Sequence, residues 1–499
     1  MTRLNWGLSS STIHGLTLQE AYHKLDDEIS QLQERLSSLR SLRNSLAPIS
    51  KVPTEILSKI FSHTQEHGEL PLYEDLDITT RFYVSWVCRH WRNTAVTTPS
   101  LWTVISKKSR DVSLRIDFVE ALLSRSRPRA LVVGLFEPSV EVLKACLPQM
   151  CRIQHLRLLS APRGADFSRL LIQPAPLLAS LDLELNSPVQ LPFAGVYPHL
   201  FHLTVRDTAI HSNFPLTATT ITNFRIINPT QPIVAQDLID ILSSLPNLTD
   251  LILEKCFPNE VGVVPATRIS RPHLQAVSIV DHHLETLFSF LELLDIPQAA
   301  VSVTWPEELI ASEDELKYFS IILDHYRVQI SLEVRHLEIK HGNSDFSVHL
   351  SSTPLNHRYS FCFPQQEFSS TEIDALFFAL PISDLQTLSA NTLTNSNVSE
   401  FQELTNLKSI ALHGIAPLQE LVLWGGLDPE EDWVPFSALE ELSIYEVKQQ
   451  FISEVDSLHR ALSSRHLRGL GLAKLVIAQS PAVDVDRFKD IVGALSVVD

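Results

Sequence analysis

The chain has 499 residues, 44% of them apolar and 20% charged, and a formal net charge of −18. This is enough apolar material for large folded cores and enough length for two or more domains, which excludes a wholly disordered chain. The acidic balance disfavours nucleic acid and anionic membrane as partners of the whole molecule, and the five scattered cysteines (Cys88, Cys146, Cys151, Cys256 and Cys362) outline neither a disulfide framework nor a zinc site.

Residues 1–17 carry no basic start and no apolar run of a secretory leader and are expected to be disordered. Together with the free-cysteine pattern this predicts a reducing compartment, cytoplasmic and/or nuclear. No stretch of ~18 uninterrupted apolar residues occurs, so no membrane-spanning helix is expected. The sequons at Asn247 and Asn397 are then expected to stay unmodified. The charge is uneven. Residues 101–170 hold 12 Lys/Arg against 6 Asp/Glu, and residues 230–320 hold 4 against 14, a dipole able to orient a partner.

Residues 18–47 predict an amphipathic, coiled-coil-like helix. Leu18, Tyr22, Leu25, Ile29, Leu32, Leu36, Leu39 and Leu46 recur at spacings of three and four, with Arg43 as the misfit, and Pro48 ends the run. Two arrangements are open for this stripe: self-association, or folding back onto the rest of the chain.

Residues 48–105 come next as a small all-helical module. Pro53 and Glu55 suit a helix start, and Ile56, Leu57, Ile60 and Phe61 make one broad apolar face. A second helix is predicted from about Thr80 to Val96, with Val84, Val87, Cys88, Trp91 and Ala95 on one stripe. Leu101 and Trp102 complete the module as an apolar clamp. A segment this short buries only ~60% of its unfolded surface. It also carries Ile49, Val52, Phe82 and Trp86, more apolar side chains than three helices can hide, so a partner or a neighbouring domain is required.

"VPTEILSKIF" followed by "WVCRHWRNTAVTTPSLW" resembles the F-box, in the form common in mushroom-forming fungi, where an amphipathic helix also precedes the motif. Val52 replaces the commoner Leu before the Pro. The resemblance covers about residues 18–105. It implies docking on the Skp-type adaptor of a cullin ubiquitin ligase, with Val52, Pro53, Ile56, Leu57, Ile60, Phe61, Val87, Cys88, Trp91, Leu101 and Trp102 shared between the module's own core and the adaptor contact.

Residues 106–129 read as a linker and the first turn of a solenoid. From about 130 to 499 the spacing Leu-x-x-Leu-x-Leu recurs, at Ile153-Leu156-Leu158, Leu178-Leu181-Leu183, Leu200-Leu203-Val205, Ile221-Phe224-Ile226, Leu248-Leu251-Leu253, Leu274-Val277-Ile279, Val334-Leu337-Ile339, Leu407-Ile410-Leu412, Leu439-Leu442-Ile444 and Leu467-Leu470-Leu472. The first intervals are 25, 22, 21, 27 and 26 residues, the leucine-rich-repeat period, and roughly 13 to 15 repeats would fill the segment. Helical backs are visible at Gln236–Leu245 and Thr371–Leu380. Two repeats or an insertion are expected between Ile279 and Leu337, and again between Leu337 and Ile410. The predicted fold is therefore α/β: a leucine-rich-repeat horseshoe preceded by the helical module and the amphipathic helix.

Alternation places the interleaved side chains on the concave face. His155, Arg157, Asp182, Glu184, His202, Arg206, Arg225, Asp250, Glu254, His336, Glu338, Lys340, Glu441 and Tyr445 form the candidate target-binding row. The acidic loops at Pro306–Lys317 and Gly425–Trp433 are either insertions or binding loops.

No catalytic motif emerges. His63-Thr-Gln-Glu-His67 matches an inverted zinc-protease pattern but lacks a third ligand, and His282-His283 has no ligand neighbour at the right spacing, so neither metal nor cofactor is expected. The Gly-rich phosphate loops are missing, and the basic stretch from Lys107 to Arg129 lacks aromatics for base stacking. The function expected is a non-catalytic target receptor of a Skp–cullin–F-box ligase, with a target protein of unknown identity on the solenoid. The alternative is a repeat scaffold outside any ligase.

Overall fold

The structure is a computed structural model. It describes residues 17–63, 80–106, 114–160, 173–184, 197–210, 219–258, 268–304 (apart from 282, 292, 297 and 298), 334–351 (apart from 342–344), 359–364, 380–393 (apart from 381), 401–414 (apart from 402 and 403), 436–445, 452–478 and 485–498. The chain forms two compact units, residues 1–165 with 175–178, and residues 166–174 with 179–499.

The first unit opens with helix α1 (Leu18–Ser45). Thr17 and Glu20 form a capping box: Thr17 Oγ1 accepts from the Glu20 N–H at 3.4 Å, and Glu20 Oε2 accepts from the Thr17 N–H at 2.9 Å. No residue of α1 is buried. A short 3₁₀ turn at Pro48–Lys51 leads to α2 (Thr54–His63), which buries Leu57 and Phe61.

The single helix predicted from Thr80 to Val96 is two, α3 (Thr80–Trp86) and α4 (Arg89–Thr97). The break falls where Cys88 takes an extended backbone and caps α4, its Sγ accepting from the Trp91 N–H at 3.5 Å. A side-chain cap of this kind competes with continuing the helix. A 3₁₀ turn at Pro99–Trp102 closes the bundle, and the Trp102 indole donates to the Ala95 carbonyl at 2.8 Å.

The chain then enters β1 (Val104–Ser106). Arg81 of α3 is fully buried and donates to the Val104 carbonyl at 2.5 Å, and burial pushes its pKa down to about 10. The span expected as a linker contains α5 (Ile116–Ser126). Its Phe118 ring lies 5.6 Å from Phe82, and the Arg125 guanidinium sits 4.9 Å over the Trp102 ring. The apolar period of Ile116, Val119 and Leu122 was legible; the basic charge of the surrounding stretch masked it.

Strand β2 (Leu131–Phe136) pairs in parallel with β1 on one side and with β3 (Ile153–Leu159) on the other, and α6 (Val140–Cys146) connects the two. Arg152, just before β3, donates to Ser126 Oγ, the Arg129 and Leu123 carbonyls and, closer still, the Arg127 carbonyl. A cation thus meets the orphan carbonyls at the end of α5.

The second unit is a ladder of short strands. β4 (Ser180–Glu184), β5 (His202–Arg206), β6 (Asn223–Ile227), β7 (Asp250–Glu254), β9 (Ala276–Val280) and β11 (Ala300–Thr304) pair in parallel without slippage. The small strands β8 (Ile269–Ser270) and β10 (Leu294–Asp295) pair separately. In the first unit Leu156 and Leu158 point into the core. In the second, Leu181, Leu203, Phe224, Leu251, Val277 and Val301 stack as one inward column, each buried. Helices α7 (Ala235–Ser243) and α8 (Leu284–Leu291) supply the backs of two repeats. α7 is the helix predicted at Gln236–Leu245; the one predicted at Thr371–Leu380 lies outside the described residues but for its last.

Among the described residues the regular order is broken between β11 and β15 (Thr387–Ala390). β11 pairs not with β12 (His336–His341) but with β14 (Tyr359–Pro364). β14 pairs antiparallel with β13 (Asp345–Ser351), β13 antiparallel with β12, and β12 in parallel with β15. The long interval after Leu337 therefore holds both an insertion, the meander β12–β13–β14, and a repeat, β15. The long interval after Ile279 holds the repeat β11, which the pattern missed because Gln298 stands where an apolar residue should lead the motif.

Parallel pairing resumes through β16 (Ser409–His413), β17 (Glu441–Tyr445), β18 (Leu472–Ala478) and β19 (Val492–Val498), with α9 (Ile452–Leu467) before β18. Here the predicted register is corrected. Leu467 ends α9 and is 85% exposed, while Leu472, Leu475 and Ile477 are the buried triplet. The same spacing begins five residues later, because α9 runs on to Leu467, where the repeat spacing predicts the start of the motif.

One turn recurs. Glu137 in the first unit, and Asp207, Asn228 and Lys255 in the second, each stand just after a strand with φ between 45° and 52°. Each donates its N–H to the carbonyl that ends, or comes just after, the next parallel neighbour, as in Lys255 to Val280 at 2.7 Å. Gly414, φ 93°, plays the same part after β16. This turn carries the chain off the sheet at the same height after each of these strands.

Candidate functional site

The sequence-derived site residues fall on the helical module of the first unit and on strands of both units. In the helical module, burial divides the docking set. Leu57, Phe61, Leu101 and Trp102 are 0–1% exposed. They are core, and are corrected out of the docking set. Phe61 packs against Trp91 at a centroid distance of 5.1 Å, which holds Trp91 half-buried. Cys88 is spent as the cap of α4, and Val52 is half-buried beside the first 3₁₀ turn.

The residues left facing solvent are Pro53, Ile56, Ile60 and Val87, of which Ile56 is 47% exposed, Ile60 43% and Val87 58%. The helix break explains Val87. On a continuous helix it would share the inward stripe of Val84; with Cys88 extended it turns outward. On α3, two aromatic residues absent from the predicted set, Tyr83 and Trp86, are also exposed, and their rings meet edge to face at 5.8 Å. Their i, i+3 spacing was the available signal. Ile49 is exposed as well. Each such side chain left in water forgoes ~1.5–3 kcal/mol of burial, so α2 and the α3–α4 corner present a surface that gains by being covered.

On the sheets, the alternation holds with two corrections. His155, in the first unit, is only 8% exposed and Asp182, in the second, 6%. Both are buried, not solvent-facing, because side chains on strands ~4.8 Å apart shade one another, as Arg206 does Asp182. Burial lowers the His155 pKa. Asp182 accepts from Arg206 Nε at 3.1 Å. In the first unit Arg157 is half-exposed; in the second, Glu184, His202, Arg206, Arg225, Asp250, Glu254, His336, Glu338, Glu441 and Tyr445 are half-exposed and Lys340 is exposed. Glu441 accepts from Lys474 Nζ at 2.5 Å, a hydrogen bond that raises the lysine pKa. Tyr445 stacks on His413 at 4.9 Å and 17°. Lys474 and His413 were missed, Lys474 because the β18 register was wrong.

The meander makes a concave part of this surface. His336, Glu338, His349, Ser351, Thr387 and Ser389 line a cavity of about 200 Å³. His336 Nδ1 shares a hydrogen bond with Thr387 Oγ1 at 2.5 Å, His349 Nδ1 one with Ser360 Oγ at 2.7 Å, and Lys340 pairs with Glu338 at 2.9 Å. Burial, and secondarily Arg335, lowers the His336 pKa. A parallel repeat would have placed one polar row here. The antiparallel strand β13 adds His349 opposite Glu338, which concentrates imidazole, carboxylate and hydroxyl groups suited to holding a polar side chain.

Among the described residues no group of three or more His, Cys, Asp or Glu is placed to hold a metal ion, and no helix is long and apolar enough to cross a membrane. His67 of the inverted zinc pattern, His282 and both acidic loops lie outside the described residues.

The proline-led first helix, the Cys88 break and the Pro99–Trp102 clamp all fall within one stretch of known type. Residues 49–108 match the F-box-like family. The chain thus carries an F-box-like domain at the position of its N-terminal helices. No curated protein matches the chain. Among solved structures it is similar to the TLR13–ssRNA13 complex at 13% identity and a TM-score of 0.29, covering 79% of this chain and 54% of that one; the chain spans about half the length of that protein.

Proposed function

We propose that this protein is the target-recognition subunit of a Skp–cullin–F-box ubiquitin ligase, an F-box protein of the fungal form whose second unit is a leucine-rich-repeat horseshoe. The observation that carries the reading is the apolar surface left open on the F-box-like domain at Ile56, Ile60, Trp86 and Val87. A Skp-type adaptor covers that surface and so joins the chain to the cullin complex. The half-exposed polar row of the sheet, with the His336–His349 cavity as its anchor point, takes the target protein. The chain contributes no chemistry of its own. By holding target and ligase together it raises their effective concentration, and transfer belongs to the other subunits. The reading places the protein in the cytoplasm and/or nucleus, with no cofactor and no nucleic-acid or membrane partner.

The test is a pulldown of the full chain with a purified Skp-type adaptor. Wild type binds, and Ile60→Asp with Trp86→Ala loses binding by at least ~100-fold, a drop of ~2.7 kcal/mol. Equal binding by both would remove the docking claim. Glu338→Arg with His349→Ala should keep the adaptor and lose co-purifying target proteins.

A further inference from the structure

Helix α1 is 28 residues long and buries none of them. In water a lone helix of this kind is marginal. Its apolar side chains are not scattered. Leu18, Leu25, Leu32, Leu39 and Leu46 occupy every d position of one heptad register, and Tyr22, Ile29, Leu36 and Arg43 occupy the a positions. The stripe is open along its length, from 36% exposed at Leu25 to 77% at Leu18.

The rest of the domain holds α1 from behind. Arg89 Nη2 donates to Ser37 Oγ at 2.7 Å, and Ser50 Oγ donates to the Asn44 carbonyl at 2.7 Å. Ser37 and Asn44 are both b positions, on the far side of the helix from the a/d seam. The helix is therefore braced with its seam outward, and among the described residues its own chain does not cover that seam.

We propose that α1 pairs antiparallel with α1 of a second copy of this chain, forming a two-stranded coiled coil ~42 Å long at 1.5 Å per residue. The charges choose both the occupant and the direction. The first half of the helix carries Glu20, Asp26, Asp27 and Glu28 against Lys24. The second half carries Arg35, Arg40 and Arg43 against Glu34. An antiparallel partner lays acidic half on basic half. With Ile29 level with the partner's Leu39, Asp26 comes beside the partner's Arg40, twice by symmetry, and Arg43 faces the partner's Leu25, where its aliphatic stem covers the seam. One like-charge pair remains, Arg35 with the partner's Arg35. A parallel pair would instead set Arg43 against the partner's Arg43 inside the seam and Arg35 against the partner's Arg40 on both flanks, each a like-charge contact. This pairing stands whether or not the chain joins a ligase.

The experiment is the mass of the full chain in solution by light scattering at ~50 µM, a concentration at which a Kd tighter than ~5 µM gives mostly dimer. Wild type should show twice the monomer mass, and Leu25→Asp with Leu32→Asp should show the monomer mass while still binding the Skp-type adaptor. Two differently tagged chains, Tyr22→Cys and Leu46→Cys, mixed and oxidised, should cross-link to each other well above the level of unsubstituted chains. A monomeric wild type overturns the proposal, as does a dimer that survives the two Asp substitutions. Tyr22→Cys cross-linking with itself in preference to Leu46→Cys overturns the antiparallel direction.

Discussion

Arg89 on α4 reaches across 52 positions of sequence to donate to Ser37 on α1. With the Ser50–Asn44 contact, this hydrogen bond orients a helix that has no buried residue, and it leaves the leucine seam facing away from the F-box-like core. A few polar contacts thus set the direction in which a whole apolar stripe faces.

The split of the docking set predicts two distinct phenotypes. Ile56→Asp or Val87→Asp should abolish adaptor binding and shift thermal stability by no more than ~0.5 kcal/mol, as surface substitutions do. Leu57→Ala should cost ~2–5 kcal/mol through the cavity it leaves and weaken adaptor binding only as the domain unfolds. Thermal melts paired with adaptor titrations separate the two. A stable Leu57→Ala protein with normal melting would contradict its placement in the core.

Asp281 is fully buried and accepts from the Phe257 N–H at 3.0 Å and the His283 N–H at 3.1 Å, which ties one repeat to the start of α8. Asp281→Ala should destabilise the second unit by ~1–3 kcal/mol, since the Phe257 and His283 N–H groups lose their shared acceptor. Chemical denaturation followed by fluorescence reads this directly, and adaptor binding serves as the control.

Lys255 sits at φ 52° in the recurrent turn. A left-handed conformation costs a side-chain-bearing residue ~1–2 kcal/mol, and glycine escapes it. Lys255→Gly should therefore raise stability by up to ~1 kcal/mol, with part of the gain lost to glycine's greater unfolded freedom. Differential scanning calorimetry that shows a lower Tm would refute the strain.

Burial holds the His155 pKa below its ordinary 6.5. The unfolded chain then binds this proton more readily than the folded one, so its share of stability is complete above pH 6.5 and is lost as pH falls through the folded value. Melting temperature should drop between pH 7 and pH 5, and His155→Gln should flatten part of that slope. His336, lowered chiefly by its own burial, acts in the same direction. An unchanged slope in His155→Gln would show that other groups carry the acid sensitivity.

Short-range periodicity is the part of this fold that the amino-acid order spells out unaided. The Leu-x-x-Leu-x-Leu spacing marks β3 to β7 residue for residue, because a strand needs only alternation to declare which side chains point inward. The heptad leucines likewise mark α1, and Pro53, Pro99 and the Trp-rich signature mark the F-box-like domain. The remainder came from packing in three dimensions. Whether Leu57 or Ile56 faces the core depends on where α4 lies, and the outward turn of Val87 depends on a backbone break made by one cysteine cap. The order β11–β14–β13–β12–β15 depends on pairings between strands dozens of residues apart, for which each strand alone carries the same apolar alternation. Local pattern specifies the face of an element; which element lies against that face is settled by long-range packing, where many pairings satisfy the same pattern and only one closes the core.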